Sequence, residues 1–385
     1  MNSASNVFST PTRPPGLALF LSLVVLIAWC DRSAKAQSKA LDLMVTKRMA
    51  ETRTPGMAVA VIVDGRAVHA RGYGISNLET QSRVTTKTVF NLASITKSFT
   101  ALAALKLVET GKLSLEDPLS LHLENIPAQW RPITIRQLLS NTSGIRSFTS
   151  LTESETRCNA SQDIRSYKRG DAIKEVECFP LEFSPGEKWK YADTGFYLAG
   201  MVIEKVSGRD YGSFLKEHVL SPLGMSSTKL LDYSAIEPQR ADGYSFRNGK
   251  IVNANRLDID EFANGGLVTT LDDMIRFDQA FLTEKVLKTG SIETMLTNAR
   301  LNSGETVSSY GLGIGLTPYK GETRFGHTGG GGLGFATAFT HFPDRRITVI
   351  VLANADQDEI GNFANALAEL FFSKVSNKVN KQKGR

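Results

Sequence analysis

Ser94-Ile95-Thr96-Lys97 runs straight into an apolar segment from Ser98 to Val108, and the reading of this stretch organises the rest of the chain. The segment is predicted to be a helix. On a helix, residues three apart share a face with Cβ atoms about 5–6 Å apart, so the Ser94 hydroxyl meets the Lys97 amine. Lys97 then lies in the first turn, where the positive end of the helix dipole disfavours a second positive charge. Burial acts in the same direction, because desolvation penalises an ammonium. A neutral lysine beside a serine is a base beside a nucleophile. Serine and lysine at this spacing also start many solvated helices, so the pattern gains its meaning only from two further stretches.

The first is Tyr191-Ala192-Asp193, just after Phe183-Ser184-Pro185-Gly186-Glu187. Pro and Gly there mark a loop, and Thr194 to Val206 reads as a helix ended by Gly208. The Tyr191 hydroxyl would relay a proton if a cation such as Lys97 lowered its pKa. The second is His327-Thr328-Gly329-Gly330, followed by alternating residues from Ala336 and Ala338 to Ile347, Val349 and Val351, the pattern of antiparallel strands around a Pro343-Asp344 turn. Gly329 and Gly330 allow backbone to approach a ligand. The N–H groups of Ser94 and Gly330 would together receive a developing oxyanion, typically about 3 kcal/mol per donor. No G-K-[ST] follows, which sets a phosphate-binding loop aside.

Together these three elements resemble the penicillin-recognising serine hydrolases, in particular class C β-lactamases, D-alanyl-D-alanine carboxypeptidases, D-aminopeptidases and related esterases, whose motifs are S-x-x-K, Y-x-N and [KH]-[TS]-G. Ser94 and Lys97 match the first, Tyr191 the second, and His327-Thr328-Gly329 the third. Ile135 to Ile145 is similar to a further family run, with Asn141 where His is usual. Gly111 to Pro118, Pro222 to Met225, Gly265 to Thr270 and Tyr310 to Gly313 are similar landmarks, so that residues 39–372 are covered. The resemblance implies an α/β (α+β) fold in which an antiparallel sheet flanked by helices packs on an all-helical lobe, with the site in the cleft between them. It implies catalysis through a Ser94 acyl-enzyme, with Lys97 and Tyr191 managing the proton. His327 and Thr328 would orient Tyr191 and bind substrate, and Asn354 would read a carboxylate.

Asp193 departs from the family, which has Asn there. A carboxylate accepts from Lys97 but cannot donate to a substrate carbonyl, and it favours charged Lys97. Two consequences are expected as alternatives. Either Asp193 reads a positive charge on the substrate, such as a free α-amine, or it impairs turnover and leaves a binder of cell-wall peptides. An ordinary lipase is excluded by the lack of a G-x-S-x-G elbow.

The remaining features fit an exported globular enzyme. Of 385 residues, 41% are hydrophobic and 22% charged, enough for a large core. The formal net charge of +6 comes from the ends: Lys374, Lys378, Lys381, Lys383 and Arg385 at one, Arg13, Arg32 and Lys35 at the other, leaving a near-neutral body. This argues against a nucleic-acid partner and for at most weak attraction to anionic envelope surfaces. Arg13, the apolar run Gly16 to Trp29 and Ala34-Lys35-Ala36 read as a signal peptide cleaved near Ala36, for a periplasmic or extracellular protein; an uncleaved membrane anchor is the alternative. Bulky Trp29 before Cys30 argues against a lipoprotein. Cys158 and Cys178 are a disulfide candidate, worth about 3 kcal/mol for a loop of this order. The five His residues lack metal-ligand spacing, so neither metal nor cofactor is expected.

The expected organisation is therefore a signal peptide (1–36), one hydrolase domain (37–372) and a basic disordered tail (373–385). Within the domain, residues 37–90 and 240–372 form the α/β lobe and 91–239 the helical lobe. Lys39 to Thr52 reads as a helix, Met57 to Val63 and Arg66 to Tyr73 as a hairpin about Asp64-Gly65, and Asn362 to Val375 as a closing helix. Asn141-Thr142-Ser143 and Asn159-Ala160-Ser161 match the N-glycosylation pattern, which has meaning only in a eukaryotic secretory host.

Overall fold

The computed structural model describes residues 37–151, 158, 170–232, 234–254, 262–330 and 333–382, with side chains up to 372. The expected signal peptide and Asn159 lie outside them. The chain divides after Val45 into two compact units. In the first, the described residues 37–45 are helical; helical residues 37–52 are termed α1. All that follows concerns the second unit.

Its frame is a six-stranded antiparallel sheet, in the order β3-β2-β1-β11-β10-β9. Three strands come early in the chain, β1 (Gly56–Val63), β2 (Arg66–Asn77) and β3 (Ser82–Arg83). Three come late, β9 (Phe325–Gly329), β10 (Ala336–Phe342) and β11 (Ile347–Ala353). The sequences of β1 and β11 are almost wholly apolar because both strands are covered on both faces, so neither alternates. The β1–β2 turn is the expected one: Asp64 and Gly65 have φ of 52° and 73°, both in the left-handed region that the tightest hairpin turns demand. Phe339 of β10 meets Phe277 edge-on and Phe281 in a stack.

The C-terminal helix packs on β10 and β11. It runs Ile360–Gln382, so the disordered tail expected from residue 373 is corrected to helix as far as Gln382. Between Gly361 and Gly384 no Pro or Gly interrupts it, and Lys, Asn and Gln are compatible with helix.

The helical part lies between the two sets of strands. Helix α2 (Thr96–Glu109) is buried on every side from Thr96 to Leu105, which explains why its sequence lacks a polar face. It packs against α5 (Asp193–Ser207), which Gly208 ends in the left-handed conformation as expected. Helix α3 (Ile135–Leu139) opens with a capping box, Thr134 to Gln137, and meets α5 at Gly195, where a β-carbon would stand 3.1 Å from the Leu138 carbonyl. Beside α4 (Asp171–Lys174) the Cys158–Cys178 disulfide is formed. Two small sheets complete the frame: β4 (Phe90–Asn91) with β8 (Leu267–Thr269) and β5 (Lys229–Leu230), and the hairpin β6 (Tyr244–Arg247) with β7 (Lys250–Asn253). No helix among the described residues is long and apolar enough to cross a membrane.

Candidate active site

Ser94 lies in a single 3-10 turn, Ala93–Ile95, between β4 and α2 rather than within the helix. Ala93 has φ of 47°, a left-handed conformation that costs a residue with a β-carbon about 1 kcal/mol. The turn is held from below, where Asn91 Oδ1 accepts from the Ala93 N–H at 2.6 Å. It is also held from the side by β9: a β-carbon on Gly329 would stand 2.2 Å from the Leu92 carbonyl. The glycine expected to admit a ligand therefore admits the backbone just ahead of the serine.

Lys97, fully buried, places its Nζ 3.0 Å from Ser94 Oγ, 2.5 Å from Asp193 Oδ1 and 2.8 Å from the Asn264 carbonyl. Burial alone would push the Asp193 carboxyl up. The Lys97 charge and hydrogen bond, with donors from Thr149 and Asn264, outweigh it and hold the group below the usual carboxylate range. Thr149 Oγ1 donates to Asp193 Oδ2 at 2.6 Å, and the Asp193 N–H donates to Ser147 Oγ at 3.0 Å. The acceptor sites of Asp193 thus already meet internal donors, Lys97 and Thr149 among them.

Tyr191 stands beside the same pair, its ring 4.9 Å from Lys97 Nζ. Its position is fixed by Asn141, whose own φ is 59°: the Asn141 carbonyl accepts from Lys190 N–H at 3.0 Å, and its Oδ1 accepts from Ala192 N–H at 3.1 Å. Sequence reasoning expected Lys97 to lower the Tyr191 pKa. Instead, burial and then the Asp193 charge push it well above 10, and the hydroxyl keeps its proton.

His327, half-buried on β9, has Nδ1 2.6 Å from the Thr328 carbonyl and Nε2 3.1 Å from the Tyr310 hydroxyl. A carbonyl only accepts, so Nδ1 carries the proton and Nε2 accepts from Tyr310. Burial, with the Lys97 charge, lowers the His327 pKa to about 4. Burial likewise pushes the Tyr310 hydroxyl well above 10. His327 was expected to orient Tyr191; its ring lies 6.1 Å from the Tyr191 ring, and Tyr310, which it bonds, adds a second contact, its ring 6.5 Å away and edge-on.

Ser94, Lys97, Tyr191, Asp193 and His327 therefore converge, with Thr328 and Gly330 exposed at the end of β9. Asn354 does not join them. It is fully buried, its Oδ1 accepting from Gly56 N–H at 2.7 Å and its Nδ2 donating to the Ile75 and Ser76 carbonyls. Its expected role as a carboxylate reader is corrected to a clamp that ties β11 to β1 and β2. Ser147, Thr149 and the Asn264 carbonyl were missed. The only sequence signal for them was that a buried Asp193 would need donors.

The Beta-lactamase family profile matches residues 41–371 of this chain. The chain belongs to the beta-lactamase family. It is 30% identical to penicillin-binding protein 4* of Bacillus subtilis over 76% of this chain and 67% of that relative's length. The octameric penicillin-binding protein homologue of Pyrococcus abyssi superposes with a TM-score of 0.74 at 31% identity, over 86% of this chain and 77% of that one. A D-stereospecific amidohydrolase from Streptomyces sp. superposes with a TM-score of 0.69 at 26% identity, over 88% and 98%. As a beta-lactamase family member the protein is a serine hydrolase of small peptide or ester substrates.

Proposed function

We propose that Ser94 is the nucleophile of an acyl transfer to water, and that the substrate is an amide or ester of a D-amino-acid peptide, a β-lactam or a small ester. The observation that carries this reading is Lys97 Nζ 3.0 Å from Ser94 Oγ, with the Tyr191 ring 4.9 Å from the same nitrogen. Lys97 rests as the ammonium paired with Asp193; to act as base it first releases a proton, after which its two remaining N–H groups donate to Asp193 and the Asn264 carbonyl and its lone pair faces Ser94. As Ser94 Oγ bonds to the substrate carbonyl carbon, its proton moves to that lone pair. The N–H groups of Ser94 and Gly330 receive the oxyanion. Collapse breaks the scissile bond, and the leaving group takes the Tyr191 proton, which Lys97 replaces. Water then attacks the acyl-enzyme by the reverse proton route and frees Ser94. Neutral His327 holds Tyr310 against Tyr191 throughout.

The names of the relatives favour D-configured peptides and amides within this range. Export is supported by the leader-like sequence before Ala36 and by the Cys158–Cys178 bond, which persists in oxidising compartments.

A second reading, a peptide binder with impaired turnover, is favoured by one observation, the 2.5 Å Lys97–Asp193 ion pair. Turnover of p-nitrophenyl acetate by wild type and Ser94→Ala separates the two. The hydrolase reading expects release of p-nitrophenol that falls at least a thousandfold in the variant. No turnover by folded wild type favours the binder.

A further inference from the structure

We propose that the Cys158–Cys178 bond positions the active site by holding residues 146–150 against Asp193, so that turnover follows the redox state of the two cysteines. The proposal rests on the hydrolase reading above. The bond itself lies outside the catalytic group, but the segment it reaches touches that group directly. Thr149 Oγ1 donates to Asp193 Oδ2 at 2.6 Å, and Ser147 Oγ accepts from the Asp193 N–H at 3.0 Å. Asp193 in turn holds Lys97 Nζ, the nitrogen beside Ser94.

Two contacts join this segment to the residues that the disulfide anchors. The first starts at Gly170, whose N–H donates to the Tyr197 hydroxyl at 2.6 Å. The fully buried Tyr197 ring meets Phe148 edge-on, with centroids 5.9 Å apart. Phe148 opens the 3-10 turn Phe148–Ser150, which carries Thr149. The second contact starts at Phe179, the neighbour of Cys178. The Arg146 guanidinium lies over its ring, 4.8 Å from the centroid. Arg146 directly precedes Ser147, and its carbonyl accepts from Thr194 Oγ1 at 2.7 Å, one residue beyond Asp193. Residues 170 and 179 therefore grip the segment near both its ends.

The stretch that does the gripping has little local stability of its own. Helix α4 is a single turn, opened by Gly170 at φ 97° with no side-chain cap, and so short a helix does not hold by its own hydrogen bonds. Ala172, Ile173 and Val176 pack into the core. The disulfide adds a covalent tie, and the Cys158 N–H donates to the Glu175 carbonyl at 3.2 Å. Cys178 is exposed, so a dithiol reductant reaches the bond. One reductant thiolate attacks a cysteine sulfur and displaces the other cysteine as thiolate; the second reductant thiolate then resolves the mixed disulfide. Both cysteines end as thiols, and the reductant, oxidised by two electrons, ends as its disulfide. The apolar anchors keep the fold while residues 170 and 179 gain freedom, and the two hydroxyls loosen from Asp193. Full turnover is then confined to oxidising surroundings.

The test measures p-nitrophenyl acetate hydrolysis by oxidised protein, by protein reduced with dithiothreitol and freed of it under nitrogen, and by Cys158→Ser/Cys178→Ser. Reduction and the double substitution should each lower kcat/KM about tenfold, the scale of a small misplacement of reacting groups. Reoxidation should restore wild type, and urea unfolding should show every form folded in the assay. The low-pH arm of kcat/KM should also move to higher pH, because the Thr149 bond that helps to lower the Asp193 pKa is weakened. Tyr197→Phe/Phe179→Ala cuts both contacts, so it should be slow while oxidised and no longer respond to reduction. The proposal is overturned by a reduced protein within twofold of the oxidised one, or by a loss that leaves the low-pH arm in place or follows global unfolding. A response to reduction that survives in Tyr197→Phe/Phe179→Ala overturns it equally.

If oxidised wild type does not hydrolyse the ester, the hydrolase reading fails instead, and the positioning is read by amide hydrogen exchange. Faster exchange on reduction in peptides spanning residues 146–150 and 191–197, with β1 unchanged, supports the tie. Equal exchange in both states, or acceleration throughout the protein, overturns it.

Discussion

Ser94 stands between two sides of opposite electrical character. On one, Lys97 and Asp193 are a buried ion pair at 2.5 Å, and Thr149 bonds the outer carboxylate oxygen. On the other, Tyr191, Tyr310 and His327 are all neutral at physiological pH: burial holds protons on the two phenols and keeps the imidazole from gaining a second one. The same physical cause, loss of water, is met by pairing on the first side and by neutralisation on the second. The difference assigns the work. The paired side keeps a nitrogen aimed at the nucleophile, and the neutral side supplies hydroxyl groups that can donate.

This contrast can be broken most severely at Tyr191. If the neutral side donates a proton to the leaving group, Tyr191→Phe should cut amide hydrolysis by about 10³, within the usual range for general acid catalysis. A p-nitrophenyl ester, whose leaving group departs without protonation, should lose about tenfold at most. Equal losses on both substrates would remove the donor role.

The next effect lies on the paired side and is one of stability. Asp193→Ala leaves the buried Lys97 without its counterion and should destabilise the protein by about 3 kcal/mol near neutral pH, read from urea unfolding. Asp193→Asn keeps an oxygen for Thr149 and should cost less. Because the Asp193 pKa is below its ordinary value in the folded state, its contribution is present above the usual carboxylate range and is lost as pH falls through the lowered value. The gap between wild type and Asp193→Ala should therefore narrow in acid; a gap independent of pH would dissociate the carboxylate charge from the effect.

The smallest effect sharpens the neutral side. His327 titrates at about 4 when folded, against an ordinary value near 6.5. Between these values the unfolded chain binds the additional proton, so stability falls as pH drops from about 6.5 through about 4. The imidazole resonances should show the transition near 4. A folded midpoint near 6.5 would mean that His327 is hydrated and that Tyr310 lacks a neutral acceptor.

Those parts of the molecule that rest on local chemistry could be read in the sequence. Asp64-Gly65 fixed its hairpin through φ, Gly208 ended α5, and Ser94 and Lys97 were close by their spacing alone. Long-range pairing was not readable. Asn354 looked like a residue of the cleft because the resemblance implied a carboxylate-reading position there, yet its amide closes on backbone at Gly56, Ile75 and Ser76. The sign of the Tyr191 shift depended on burial, with the Asp193 charge adding to it, which only the packed geometry decides. Tyr310 was visible as a landmark, but nothing in its spacing to His327 announced that the two side chains bond. The helix beyond residue 373 was missed because charge was read as disorder, when the absence of Gly and Pro was the better local signal.

The central claim is that the side chain of Ser94, flanked by these two sides, becomes acylated. The most direct measurement is rapid quench of the protein with p-nitrophenyl acetate, followed by intact mass and peptide mapping. The account predicts one acetyl group on the peptide bearing Ser94, formed with the burst of p-nitrophenol and absent in Ser94→Ala. An acetyl group on any other residue, or turnover that persists in Ser94→Ala, would contradict it.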